Sequence, residues 1–224
     1  MPEPGEPKKR ALIFGSTGLT GSFLVRELLN CPDYEQVLSV SRRPLDYEHG
    51  RLKQILINFE SILTKAAALK ADDVYCCLGT TLRKAGSRER FREVDLEFPL
   101  RLARLAVLQG AKTFSLVSAE GADQQSFFYY LRVKAELEAE LLKIPFRSLH
   151  IFRPSILGGK RAEDRLLESM SLSILKFMAP ILPSKARPTD AAKLAKFMLE
   201  ARRRNEDRNI IYSADAISRE IFSL

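Results

Sequence analysis

The stretch SFFYYLRVKAELEAEL, residues 126–141, carries two adjacent tyrosines and a lysine in a polar–apolar rhythm that predicts a helix. On a helix, Tyr130 and Lys134 stand four residues apart on one face, whereas Tyr129 points elsewhere. An ammonium near a phenol favours the phenolate and lowers the phenol's pKa. Tyr130 therefore reads as a proton donor at neutral pH, with Lys134 tuning it. The Tyr-x-x-x-Lys spacing alone also suits a surface pair on a charged helix, so its weight depends on its surroundings. Ser118 ends the apolar run KTFSLVS, which predicts a strand. A hydroxyl at the carboxyl end of a strand can hydrogen-bond a substrate carbonyl; it can equally satisfy local backbone.

The elements that must position these residues alternate. RALIF, EQVLSVS, LKQILIN, DDVYCCLG, KTFSLVS and RSLHIFRPS predict six strands. TGSFLVRELLN and ESILTKAAALK predict helices between them. SRERFREVDLEFPLRLARLAVLQG predicts a long helix capped by Ser87, ended by Gly110, and kinked or broken at Pro99. This alternation predicts an α/β fold, a doubly wound parallel sheet (Rossmann fold) with near-continuously apolar strands. Residues 1–8 read as a disordered Pro-rich tail, and 9–224 as a single domain. Substrate-cap elements fall mainly in 158–190, where LLESMSLSILKFMAPIL reads as a pocket lid or as a helix docking on a partner or membrane surface. TDAAKLAKFMLEARRR predicts a capped helix and RNIIYS a late strand.

Between the first strand and first helix lies GSTGLTG: Gly15, Ser16, Thr17, Gly18, Leu19, Thr20 and Gly21. The G-x-x-G-x-x-G spacing departs from the usual G-x-G-x-x-G, but the physical logic is shared. Gly15 permits the sharp turn, Gly18 lets backbone approach a pyrophosphate at the helix N-terminus, and Gly21 lets helix pack close to sheet. At the end of the second strand an acid would mark an unphosphorylated ribose. The chain instead reads SVSRRP, with Arg42 and Arg43, whose guanidinium forks suit a 2′-phosphate. NADP(H) is the expected cofactor.

The formal charge of +8 over 224 residues suits an anionic partner, yet basic and acidic residues are interleaved and carry no aromatic–basic alternation. No specific nucleic-acid binding is expected. Cys31, Cys76 and Cys77 offer neither a disulfide framework nor metal spacing, and with His49 and His150 they predict no zinc site. A reducing, cytoplasmic location is expected. No apolar run reaches transmembrane length, and KKRALIFGSTGLTGSFLV reads as strand–loop–helix, not as a signal peptide.

GSTGLTG, Ser118, YLRVK and FRPSIL together resemble an atypical short-chain dehydrogenase/reductase. More narrowly, CCLGTTLRKAG, FREVD, VSAEGAD and YLRVKAELEAEL resemble the Tat-interacting-protein oxidoreductase family and its bacterial relatives. The likeness covers residues 9–158. It implies a catalytic set of Ser118, Tyr130 and Lys134, with Tyr130 donating the proton, Ser118 positioning the carbonyl, and Lys134 lowering the tyrosine pKa while contacting the ribose. It also implies that Asn58 and Phe59 flank adenine. Leu78, Gly79 and Thr80 would line the ribose and nicotinamide side, and Pro154, Ser155 and Ile156 would meet the carboxamide. Two positions depart from the pattern: Asp95 stands where related enzymes often have asparagine, and Asn58 where aspartate is common. The implied function is NADPH-dependent reduction of a carbonyl or similar polarised bond of a small-molecule substrate. The competing reading is a non-catalytic NADPH-sensing protein that docks a partner, and a protein partner or homo-oligomer stays open.

Overall fold

The apolar runs become a single seven-stranded sheet. The computed structural model describes residues 8–57, 63–158, 188–204 and 207–223. In chain order the strands are β1 (Lys9–Phe14), β2 (Tyr34–Ser41), β3 (Leu52–Leu56), β4 (Asp73–Cys76), β5 (Thr113–Val117), β6 (Ser148–Phe152), β7 (Leu157–Gly158), β8 (Thr189–Asp190) and β9 (Asn209–Tyr212). The main sheet runs β3-β2-β1-β4-β5-β6-β9, with every neighbouring pair parallel. β7 and β8 form a separate two-residue parallel pair. The chain steps outward from β1 to β3, then jumps back across β1 to β4. That reversal opens a crevice at the carboxyl ends of β1 and β4, the usual ligand position in such sheets.

Strand alternation divides two cores. On β1, Ala11 and Ile13 pack with Leu24, Val25 and Leu28 of α1 (Leu19–Asn30) and with Leu194, Phe197 and Met198 of α6 (Ala191–Arg203). Leu12 and Phe14 face the other way. They join the core that holds Phe91 of α3 (Arg88–Arg92), Leu102 of α4 (Phe98–Leu108), and Val133, Leu137 and Leu141 of α5 (Tyr129–Leu141). Because helices cover both faces, the strands need apolar residues at odd and even positions alike. The short α2 (Leu82–Ala85) precedes α3, and α7 (Ala214–Ser223) follows β9.

Two helical segments differ from expectation. ESILTKAAALK forms a 3₁₀ turn, Leu63–Leu69, with 58–62 outside the described residues. Of residues 65–69 only Leu69 is buried, so there is no apolar stripe to hold a full α-helix. The long helix starts at Ser87 as expected, its Oγ accepting from the Arg90 amide at 3.1 Å. It then widens into a π turn, Glu93–Glu97, before α4. Pro99 has no N–H to return to the Asp95 carbonyl, and the Phe98 amide bonds Glu93 O, five residues back. The ladder therefore widens where the sequence predicted a kink. Gly110, at φ 89°, closes the segment.

At the amino end of β4, Tyr34 donates to Asp73 at 2.9 Å and lies 3.0 Å from the Tyr75 hydroxyl, all three residues being buried. Burial pushes both phenols above their ordinary value. A folded-state pKa above the unfolded one contributes stability that is complete below the unfolded value, about 10 for tyrosine, and is lost as pH rises past it. Urea midpoints followed by circular dichroism should therefore hold from pH 7 to 9 and fall above about pH 10. The Tyr34→Phe variant should show a shallower fall.

Candidate active site

The glycine turn brings β1, α1 and the loop after β4 into backbone contact. Gly15 adopts φ +79°, and a Cβ there would lie 2.7 Å from Cys77 O. A Cβ on Gly21 would lie 2.2 Å from Gly15 O, so the helix can reach the strand end only without a side chain. Gly18 caps α1 with no side-chain hydrogen bond, leaving first-turn amides to a ligand or water. Ser16 is buried and accepts from Ser39 Oγ at 2.7 Å, so its hydroxyl serves the junction with β2. Thr20 Oγ1 is buried and has no hydrogen-bond partner among the described residues. Thr17 and Leu19 are half-buried beside it. An uncapped helix start next to an orphaned hydroxyl suits the oxygens of a dinucleotide's diphosphate.

Across the crevice, Tyr130 and Lys134 stand on successive turns of α5, the ammonium 5.8 Å from the phenol ring centroid. Lys134 Nζ also lies 2.8 Å from Asp95 Oδ1, with the two side chains only 4% and 0% exposed. Asp95 reaches this position from the π turn, and its second oxygen accepts the Thr80 amide at 2.8 Å. Gly79 roofs the pair: a Cβ there would lie 3.6 Å from Asp95 Oδ1 and 3.8 Å from Lys134 Nζ. Burial disfavours the ammonium, but the Asp95 carboxylate outweighs it, and Lys134 ends above its ordinary pKa. Tyr130 also ends above its ordinary value. Burial raises it, Lys134 pulls it down, and Asp95 adds to the rise. The expected lowering of the phenol pKa is therefore reversed in net, first because burial outweighs the pull of the ammonium and then because the Asp95 carboxylate adds to the rise.

Ser118 follows β5 and is buried, its amide bonded to Phe152 O at 2.7 Å. Its Oγ donates to Glu138 Oε1 at 2.5 Å. Glu138, one turn beyond Lys134 on α5, is also gripped by Arg153 through Nε at 3.1 Å to each oxygen and Nη2 at 2.5 Å. The serine proton points at a buried, charge-paired carboxylate, and its lone pairs are what remain for other partners.

Arg42 and Arg43 follow β2 directly and are exposed, with Arg43 O accepting from Ser41 Oγ at 2.5 Å. Leu78 and Thr80 are half-buried beside exposed Gly79, in the loop between the glycine turn and the Lys134–Asp95 pair. Past β6, Pro154 is buried and its carbonyl accepts the Glu120 amide at 2.9 Å. Ser155 Oγ lies 3.0 Å from Thr189 Oγ1, and Ile156 O accepts the Thr189 amide at 2.9 Å. Asn58, Phe59 and cap residues 159–187 lie outside the described residues. Glu138 and Arg153 were not among the sequence-predicted site residues. The available signal was Glu138 extending the Tyr130–Lys134 spacing by a further four residues on an otherwise apolar face.

Residues 11–125, just over half of the chain, match the NAD dependent epimerase/dehydratase family. Protein HTATIP2 of Rattus norvegicus is 40% identical over 161 residues, 70% of this chain and 66% of that protein. The chain thus spans just under two thirds of that relative's length. Protein FMP52-1, mitochondrial, of Scheffersomyces stipitis is 32% identical over 197 residues, 85% of this chain and 87% of that protein. Among solved structures, MoeE5 in complex with UDP-glucose and NAD is similar with a TM-score of 0.70 at 18% identity, covering 91% of this chain and 75% of that one. That likeness is one of fold. The expected cytoplasmic location is corrected by the fungal relatives, which are named mitochondrial. Unpaired cysteines argue only against an oxidising compartment and do not separate one reducing compartment from another.

Proposed function

Because the chain belongs to the NAD dependent epimerase/dehydratase family, we propose that it is an NADP(H)-dependent oxidoreductase that reduces a carbonyl or similarly polarised bond of a small substrate. The observation that carries this reading is the placement of Tyr130 and Lys134 on successive turns of α5, with Lys134 beneath Gly79 of the loop whose start meets the glycine turn. When bound, the nicotinamide supplies the hydride. Gly15–Gly21 would hold the diphosphate on the free amides of α1, and Arg42 and Arg43 the 2′-phosphate. Asn58 and Phe59 would flank adenine, Leu78–Thr80 the ribose, and Pro154–Ile156 the carboxamide. Tyr130 Oη gives its proton to the substrate oxygen, which Ser118 orients. To donate there, Ser118 must turn its proton away from Glu138, and Arg153 keeps that carboxylate's charge compensated while it does. The names of the fungal relatives support a mitochondrial location.

Nicotinamide fluorescence tests the cofactor directly, in a chain that contains no tryptophan to interfere. NADPH should bind more tightly than NADH. The double variant Arg42→Ala/Arg43→Ala should weaken NADPH at least about tenfold and leave NADH unchanged, as expected for losing charge-assisted bonds to a phosphate. Equal affinities would assign both arginines to solvent. Binding without turnover in a carbonyl screen would favour cofactor sensing, and binding of neither cofactor would remove the enzyme reading.

A further inference from the structure

The Lys134–Asp95 pair bears on the protonation state of the proton donor. An unopposed ammonium draws a neighbouring phenol toward phenolate, but here the ammonium is opposed at 2.8 Å by a fully buried carboxylate. Asp95 is fixed from two sides, by Lys134 of α5 and by the Thr80 amide of the ligand-facing loop. Several elements face Tyr130. Its own helix presents Lys134, and the π turn presents Asp95. From α3 comes the uncharged Phe91 ring, with centroids 5.8 Å apart. At the end of β4 the Cys76 thiol, which burial pushes up to about 11, adjoins the pair as a neutral group. Arg88 and Arg132 lie over the other tyrosine, Tyr129, at 5.1 and 5.6 Å. Among the described residues, the charged groups set against Tyr130 are therefore one cation and one anion.

We propose that Asp95 is a positioning residue that neutralises Lys134 and so helps to keep Tyr130 a protonated phenol at neutral pH, the form that gives a proton to a carbonyl oxygen. This rests on the reading of Tyr130 as the proton donor. In the reducing direction the carbonyl carbon gains a hydride and its two electrons, the C=O π bond breaks, and the oxygen takes the Tyr130 Oη proton. Solvent then reprotonates the phenolate. The reverse reaction starts from the phenolate, which the site reaches by giving its proton to solvent and which a neutralised Lys134 stabilises less than a free ammonium would. The raised phenol pKa, set first by burial and only partly countered by Lys134, agrees with this geometry.

The test is a pH titration of ring-labelled tyrosine by NMR on the full chain without cofactor, Tyr130 being assigned by its loss in Tyr130→Phe. The wild-type phenol should stay protonated through about pH 10, the ordinary tyrosine value. In Asp95→Asn its ionisation constant should rise about tenfold or more. The net-neutral Asp95→Asn/Lys134→Met variant should return it close to wild type. A wild-type phenol titrating below its ordinary value would overturn the proposal even if Asp95→Asn fails to fold. So would an unchanged midpoint in Asp95→Asn, or a double variant shifted as far as the single one. Because this readout needs no turnover, its failure is distinct from failure of the proton-donor reading, which is judged by the activity of Tyr130→Phe.

Discussion

Tyr130→Phe is expected to lower turnover about a thousandfold, within the range a positioned general acid contributes, while NADPH affinity stays at the wild-type level. The substitution removes one hydroxyl and keeps the ring. The ring is what packs on Phe91 at 5.8 Å and what Lys134 approaches at 5.8 Å, so the helix start and the ammonium should stay in place. The loss should fall on kcat, because proton transfer is needed only as the substrate oxygen gains charge. The wild-type reduction rate should be flat through neutral pH and decline only as the phenol, held above its ordinary value, begins to ionise. The sign follows from the acid form being the donor: raising the pKa extends the active window upward. Steady-state reduction rates with a responsive carbonyl, alongside nicotinamide titrations, measure both halves. Undiminished turnover in the phenylalanine variant would move proton donation to another group and leave Tyr130 as packing.

The parts of the site legible in the sequence are those set by short-range spacing. Gly15, Gly18 and Gly21 fall between an apolar run and a helical one, and each meets a steric demand that a side chain would violate or crowd, at 2.7, 3.0 and 2.2 Å. Tyr130 and Lys134 are legible because four residues is a helical repeat. What spacing does not encode is which distant residue arrives opposite. Asp95 stood out in the sequence only as a departure from a pattern. Its encounter with Lys134 depends on the π turn, and that turn depends on a proline four residues further on. The lysine's lowering effect on the phenol is legible in the spacing, but the net direction is not, since the sequence displays neither the burial that outweighs the lysine nor the carboxylate that adds to the rise. Glu138 is one of several acids in AELEAEL, and only its depth beside Ser118 and Arg153 separates it from its exposed or half-buried neighbours. The doubly wound parallel sheet was legible in the strand–helix alternation, while the order of its strands came only with the structure. The 3₁₀ segment at Leu63–Leu69 was not, because its apolar residues have too little core to cover.

Asp73→Ala is expected to destabilise the protein by about 3–5 kcal/mol, the usual cost of stranding a buried charge, without touching cofactor affinity. Asp73 opens β4 at the end of the sheet opposite the crevice, 1% exposed. Its Oδ2 forms an ion pair with Arg202, 2.5 Å from Nε, and accepts from the Tyr34 hydroxyl at 2.9 Å. Arg202 projects from the last turn of α6 and is 9% exposed, so it has little access to water once its partner is gone. Burial works against that guanidinium's charge and Asp73 more than restores it, so removing the carboxylate leaves only the burial cost. Tyr34 and Tyr75 lose less, because their hydroxyls, 3.0 Å apart, can still bond each other. Urea unfolding followed by circular dichroism measures the effect. The double variant Asp73→Ala/Arg202→Met should recover most of the loss, since an apolar replacement of both partners leaves no charge unpaired. A single-variant loss below about 1 kcal/mol, the range of exposed pairs, would mean that the guanidinium reaches solvent and that α6 is held chiefly by its apolar face, including Leu194, Phe197 and Met198.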